Sequence, residues 1–134
     1  MKRLIFIFVV VFSLSVSVKA YAYWIWTPKT GKWVNPKYAV KPTPKEQLEY
    51  AQIIYNNKAY KEAKREFQRL IQYYPKSAEA AEAQYYLGLC DEAEGNLYEA
   101  YLAYQKVIDK YPFSQRIQEI IEKEYKIAEE FMAG

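Results

Sequence analysis

The stretch Tyr60–Pro75, YKEAKREFQRLIQYYP, is repeated 37 residues later at Leu97–Pro112, LYEAYLAYQKVIDKYP. The copies are identical at Glu62/Glu99, Ala63/Ala100, Gln68/Gln105, Ile71/Ile108, Tyr74/Tyr111 and Pro75/Pro112. Phe67/Tyr104 and Leu70/Val107 keep their character. Ala63, Phe67, Leu70, Ile71 and Tyr74 fall at i, i+4, i+7, i+8 and i+11, which is one stripe of a 3.6-residue period. Ala100, Tyr104, Val107, Ile108 and Tyr111 draw the same stripe again. A proline then stops each helix. A chain that writes one helix twice at this distance leaves room for one other helix between the copies. The fold class is therefore all-α, a short array of helical hairpins. One hairpin cannot bury its apolar face alone, so neighbours must stack.

The remaining helices follow from start and stop signals. Thr43 is a candidate N-cap, Pro44 suits the first helical position, and Glu46 stands three residues after the cap. The first helix is predicted from about Pro44 to Tyr55, with Leu48, Ala51 and Tyr55 on related faces, and Asn56-Asn57-Lys58 breaks it. Ser77 can cap a helix over residues 78–94. There Ala80, Ala81 and Ala83 allow close contact, and Tyr86, Leu87, Leu89 and Cys90 supply the apolar side. Gly95-Asn96 is the next turn. Ser114 can cap a closing helix over 115–132, with Ile117, Ile120, Ile121, Tyr125, Ala128 and Phe131 as its apolar positions. The expectation is five antiparallel helices across 44–134, with repeats at about 44–77 and 81–114. Tyr73-Tyr74 and Tyr85-Tyr86 should each put one ring inside and the next partly exposed.

Residues 1–22 have the layout of a secretory signal peptide. Lys2 and Arg3 form a positive start, Leu4 to Leu14 is apolar but for Ser13, and two cleavage options follow, after Ala20 or after Ala22. The expected location is outside the cytoplasm, in a bacterial periplasm; a retained N-terminal anchor is the alternative. Residues 23–43 form an arm rich in Trp, Lys and Pro that holds all three tryptophans, Trp24, Trp26 and Trp33. Two β-favouring runs flank Thr27-Pro28-Lys29-Thr30-Gly31, so a small hairpin is expected, with Trp24 and Trp26 on one face and Trp33 opposite. An isolated two-stranded hairpin is only marginally stable in water, so these rings need something to pack on. Three readings stand: a lid on the apolar end of the first helix, a docking arm for a partner, and contact with a membrane or glycan surface. Asn35-Pro36 and Pro42-Thr43-Pro44 suggest an extended linker out of the arm.

The chain has a formal net charge of +3 and no histidine. Three basic residues lie in the leader and four lysines in the arm, whereas residues 44–134 hold 12 basic and 16 acidic side chains, net −4. The basic excess is thus no argument for nucleic acid. The one cysteine, Cys90, cannot form an intramolecular disulfide. Its apolar setting suggests a buried small side chain, with a reactive thiol or intermolecular bridge as the alternative. There is no phosphate-binding P-loop, HExxH, GxSxG or CxxC motif. Glu62/Glu66 and Glu119/Glu122 are explained as helix surface, and a carboxylate dyad needs a cleft that short helices do not make. No enzyme, metal site or cofactor is expected.

The pattern resembles tetratricopeptide repeats. Ala63, Phe67, Leu70 and Pro75 match the second helix of the first repeat, and Leu87, Gly88, Ala100, Tyr104 and Pro112 match the second repeat. Departures are Gln47 where tryptophan is typical, Ala51 where glycine is typical, and Asp91 in place of an aromatic. Tyr74-Pro75-Lys76-Ser77 before an alanine-rich helix start, renewed at Tyr111-Pro112-Phe113-Ser114, is similar to BamD-type outer-membrane assembly lipoproteins and CpoB-type periplasmic proteins. The lipid-bearing cysteine of the BamD-type proteins is missing, and the array is shorter. The resemblance implies a right-handed superhelix whose first helices line a concave groove. In this chain those positions are Leu48, Gln52, Tyr55, Glu82, Tyr85, Leu89 and Glu92, followed by Glu119 and Glu122. Tyrosines beside a glutamate edge would suit a basic peptide or helix; packing between hairpins and a solvated face is the plainer reading. The implied role is a non-catalytic envelope adaptor for partner proteins or peptides, with membrane association only through partners or an uncleaved leader. A structural, self-associating homo-oligomer is the alternative.

Overall fold

A computed structural model describes residues 24–28 and 31–134. The predicted leader, 1–22, lies outside the described residues. The chain divides into two compact units at Ala39/Val40.

In the first unit, β1 (Ile25–Thr27) and β2 (Lys32–Val34) pair antiparallel, with Trp26 opposite Trp33. Their rings meet edge to face at 5.6 Å, a favoured aromatic geometry. Gly31 closes the turn at φ 61°, and its N–H donates to the Thr27 carbonyl at 2.9 Å. Only glycine takes that φ without a steric cost. The exit, expected as an extended linker, is not extended throughout. Pro36–Tyr38 forms a 3-10 turn, because proline presets the φ of such a turn and the Tyr38 N–H bonds back to the Asn35 carbonyl.

The second unit stacks α1 (Pro44–Asn56), α2 (Tyr60–Tyr73), α3 (Ala78–Ala93), α4 (Leu97–Lys110) and α5 (Ile117–Ala133) as antiparallel hairpins. The strand of chain before α1 belongs here: the Lys41 N–H donates to Gln47 Oε1 at 2.9 Å, and the Tyr74 hydroxyl donates to the Lys41 carbonyl at 2.7 Å. Thr43 caps α1 by accepting from the Glu46 N–H at 3.2 Å, and Ser77 caps α3 by accepting from Ala80 at 3.1 Å. Ser114 behaves differently from expectation. It accepts from the Arg116 N–H at 3.2 Å, which closes a turn, and α5 starts later, at Ile117. The two hairpin turns reverse through left-handed residues at equivalent places, Lys58 at φ 61° and Gly95 at φ 78°.

Ala63, Phe67, Leu70, Leu87, Gly88, Ala100 and Tyr104 are buried, as the repeat core requires. Pro75 and Pro112 are exposed. They act as helix stops and lie outside both buried clusters. Gly88 is needed for space: a Cβ there would overlap the buried Tyr104 ring. One buried cluster gathers Ala51, Phe67, Leu70, Ala83, Leu87 and Cys90, and a second gathers Tyr85, Tyr104, Val107, Ile120 and Ile127. Tyr86 touches both. Its ring stacks on Phe67 at 5.0 Å and meets Tyr55 and Tyr85 edge to face at 5.3 and 6.0 Å.

The closing helix departs from expectation. Ile120 and Ile127 are its buried residues, and Ile117 packs at the edge of the second cluster. Ile121, Tyr125, Ala128 and Phe131 face outward. The apolar residues of α5 occupy two faces, and only one of these meets α3 and α4.

Candidate functional site

The first-helix positions singled out above lie on α1 and α3, with Glu119 and Glu122 on α5. Leu48, Gln52 and Tyr55 are half-buried, as are Glu82, Leu89 and Glu92. Tyr85 is only 3% exposed. Tyr55 is held by rings on two sides, Tyr60 at 5.4 Å and Tyr86 at 5.3 Å, and burial raises its hydroxyl pKa.

The glutamates on this face are engaged within the chain. Arg116, at the start of α5, grips Glu82 through Nη2 at 2.6 Å and Nε at 3.1 Å. Its Nη1 reaches Glu119 at 2.9 Å, and its guanidinium lies 4.9 Å from the centre of the Tyr85 ring. The Tyr85 hydroxyl donates to Glu119. The hydrogen bonds to Glu82 hold the Arg116 pKa above its ordinary value. The hydrogen bond from Tyr85, and then those of Arg116, hold Glu119 below the usual carboxylate range. Farther along, Glu92 accepts from the Tyr104 hydroxyl and from Lys123 Nζ at 3.1 Å. Burial, and then the bond to Glu92, push the Tyr104 hydroxyl pKa well up. Charge-assisted bonds of this type tie helices strongly when partly desolvated. Three of the four glutamates expected to meet a basic ligand therefore fasten α5 to α3. Leu48, Gln52, Tyr55 and Leu89 stay half-buried on the first helices, and Glu122 of α5 is exposed.

Sequence reasoning missed Arg116 and Lys123. No local pattern links them to Glu82 and Glu92, more than 30 residues away. It also missed a buried amide. Gln47 is fully buried, its Nε2 donating to the Glu66 carbonyl at 3.1 Å and to Glu66 Oε2 at 2.9 Å. Glu66 in turn is paired with Arg69 at 2.7 Å. The equivalent Gln84 donates to the Ala103 carbonyl at 3.1 Å. Both bonds span 19 residues. The recurrence of glutamine at the repeat offset was the available signal.

On the opposite side, Lys64, Gln68, Ile71, Gln84, Leu87 and Lys106 line a groove of about 380 Å³ between α2 and α4. Lys64 is bonded to Asp91 at its floor. Desolvation would lower the Lys64 pKa, but the bond and charge of Asp91 outweigh it and the pKa is raised. Cys90 is buried beside Asp91, and burial pushes its thiol pKa up to about 12. Such a thiol is not a ready nucleophile. Among the described residues no group of His, Cys, Asp and Glu could hold a metal ion, and no helix is long and apolar enough to cross a membrane. In the arm, Trp24, Trp26 and Trp33 are all exposed.

The family model described as tetratricopeptide repeat matches residues 47–77 and 82–114. No curated protein and no solved structure matches the chain.

Proposed function

The chain belongs to the tetratricopeptide repeat family, a non-catalytic protein-interaction scaffold, and from that premise we propose an adaptor of the cell envelope that holds a partner polypeptide on its first-helix face. The observation behind this reading is a set of half-exposed side chains on the first helices, Leu48, Gln52 and Tyr55 of α1 and Leu89 of α3. Its tyrosine is pinned by neighbouring rings, so little side-chain entropy is lost when a ligand meets it. With Glu82, Glu92 and Glu119 engaged by Arg116 and Lys123, this surface selects by shape and apolar contact more than by charge. The envelope setting rests on the leader-like residues 1–22 and on the two YPxS runs, which are similar to BamD-type and CpoB-type proteins. Loss of 20 or 22 residues in the intact mass of the exported protein is the expected sign of that setting.

A photo-crosslinking residue placed at Gln52 or at Leu89, in envelope preparations, tests the surface. Adducts with the same envelope protein from both sites, and none from Gln72 on the opposite side, are the expected result. Equal labelling from Gln72, or no adducts from either site, overturns the reading. The exposed tryptophans favour a second reading, in which the arm self-associates. A monomer by sedimentation, with and without residues 23–43, rules that out.

A further inference from the structure

The two repeats show what the outward stripe of a first helix is for. Gln47 of α1 bonds the backbone of α2, and Gln84 of α3 bonds the backbone of α4. One turn on, Ala51 and Gly88 are small and buried, and Gly88 lies under the Tyr104 ring of α4. In each repeat this stripe seats the second helix. A further shift of 37 residues puts the same stripe of α5 at Ile121 and Tyr125, continued by Ala128 and Met132. It is apolar throughout, and Ile121, Tyr125 and Met132 are 50%, 65% and 79% exposed. The junction beside it changes in the same sense. Lys64 and Asp91 form an ion pair between the first and second repeats, and their equivalents one repeat on are Tyr101 and Ala128.

The geometry points to α5 as a docking site for an amphipathic helix of another protein, one that presents small side chains to Tyr125 and lysine or arginine to one edge of the stripe. The small residue follows from the exchange of Ala51 and Gly88 for Tyr125: the knob here is on α5, so the hole must be on the incoming helix. The basic edge follows from Glu122 and Glu129. Each follows a stripe residue by one position, so both lie on the same side of the stripe. Both are exposed, and among the described residues neither has an ion-pair partner. Lys126 lies farther round the helix. A second copy fits worse. An antiparallel two-fold pairing that seats Tyr125 against Ala128 brings Glu122 of one copy near Glu129 of the other, twice on the same flank, and like charges there oppose association. The site is separate from the α1–α3 surface and does not depend on it.

Two labelled peptides with the same alanine–leucine face, one with lysine and one with glutamate along one edge, test the proposal by anisotropy with the whole protein. The lysine peptide should bind at least about tenfold tighter than the glutamate peptide, since two close charge pairs are gained. Ile121→Ser with Tyr125→Ser should abolish binding while the thermal unfolding midpoint stays unchanged, because both residues are surface-exposed. Glu122→Lys with Glu129→Lys should invert the preference. Equal binding of the two peptides, or binding that survives the serine exchanges, overturns the proposal. So does a dimer in sedimentation that the serine exchanges dissolve, for then the stripe belongs to a second copy.

Discussion

Lys58 and Gly95 occupy equivalent turns and share one backbone conformation, but only the glycine adopts it freely. An L-residue in this region carries a steric cost. Lys58 is exposed, so its side chain offers no compensating burial. Lys58→Gly should stabilise the fold by about 0.5–1 kcal/mol, read as a higher urea midpoint at unchanged slope. Gly88 is the opposite case. The Tyr104 ring that rests on it is itself fully buried and cannot swing away. Gly88→Ala should cost about 1–3 kcal/mol by overpacking, measured in the same titration.

At the scale of the element, polar contacts join the buried Ile120 and Ile127 in holding α5 to α3. Glu119 has its folded pKa lowered by Tyr85 and then by Arg116. Its contribution is therefore present above the unfolded value of about 4.3 and is lost as pH falls through the lower folded value. Glu124 is raised, chiefly by burial and against the bond from Gln105, so its effect has the opposite sign: it favours the fold below the unfolded value. In thermal melts taken downward from pH 6, Glu119→Gln should flatten the acid loss of stability and Glu124→Gln should steepen it. Identical pH slopes in wild type and both variants would refute the assignment. The same helix marks the border of what the residues alone disclose. The helices of both repeats are legible because Ala63, Phe67 and Leu70 recur as Ala100, Tyr104 and Val107 at one period. In α5 the period gives an apolar helix but not its orientation. Ile120 and Ile121 are adjacent and equally apolar, and only contact with α3 and α4 decides that the first is buried and the second exposed. The ion pairs of Arg116 and Lys123 are equally invisible, since a long-range pair is set by tertiary stacking. In the sequence Gln47 reads only as a departure, because nothing local says that a glutamine will be fully buried and bonded.

At the scale of the whole repeat unit, the two buried clusters meet at Tyr86 and at Tyr111, so two rings bridge the repeats. Stacked repeats unfold as a chain of units whose cooperativity depends on such interfaces. Tyr86→Ala should lower stability by about 3–5 kcal/mol at most, less to the extent that the ring is exposed, and should also reduce the urea slope. Hydrogen exchange in α4 and α5 should then separate from exchange in α1 and α2; a single cooperative transition with the native slope would show that Tyr86 is not the coupling. The buried amides of Gln47 and Gln84 have a different consequence, for the tolerance of the chain to insertion. Surface turns normally accept an added residue at small cost. Here each first helix is tied to a backbone oxygen 19 residues on. One residue added between Asn57 and Ala59 would have to be absorbed in the loop, or it would turn α2 by about 100° and swing that oxygen out of reach. The hydrogen bond thus works as a gauge of loop length, and the short turns of this array are fixed from inside the core.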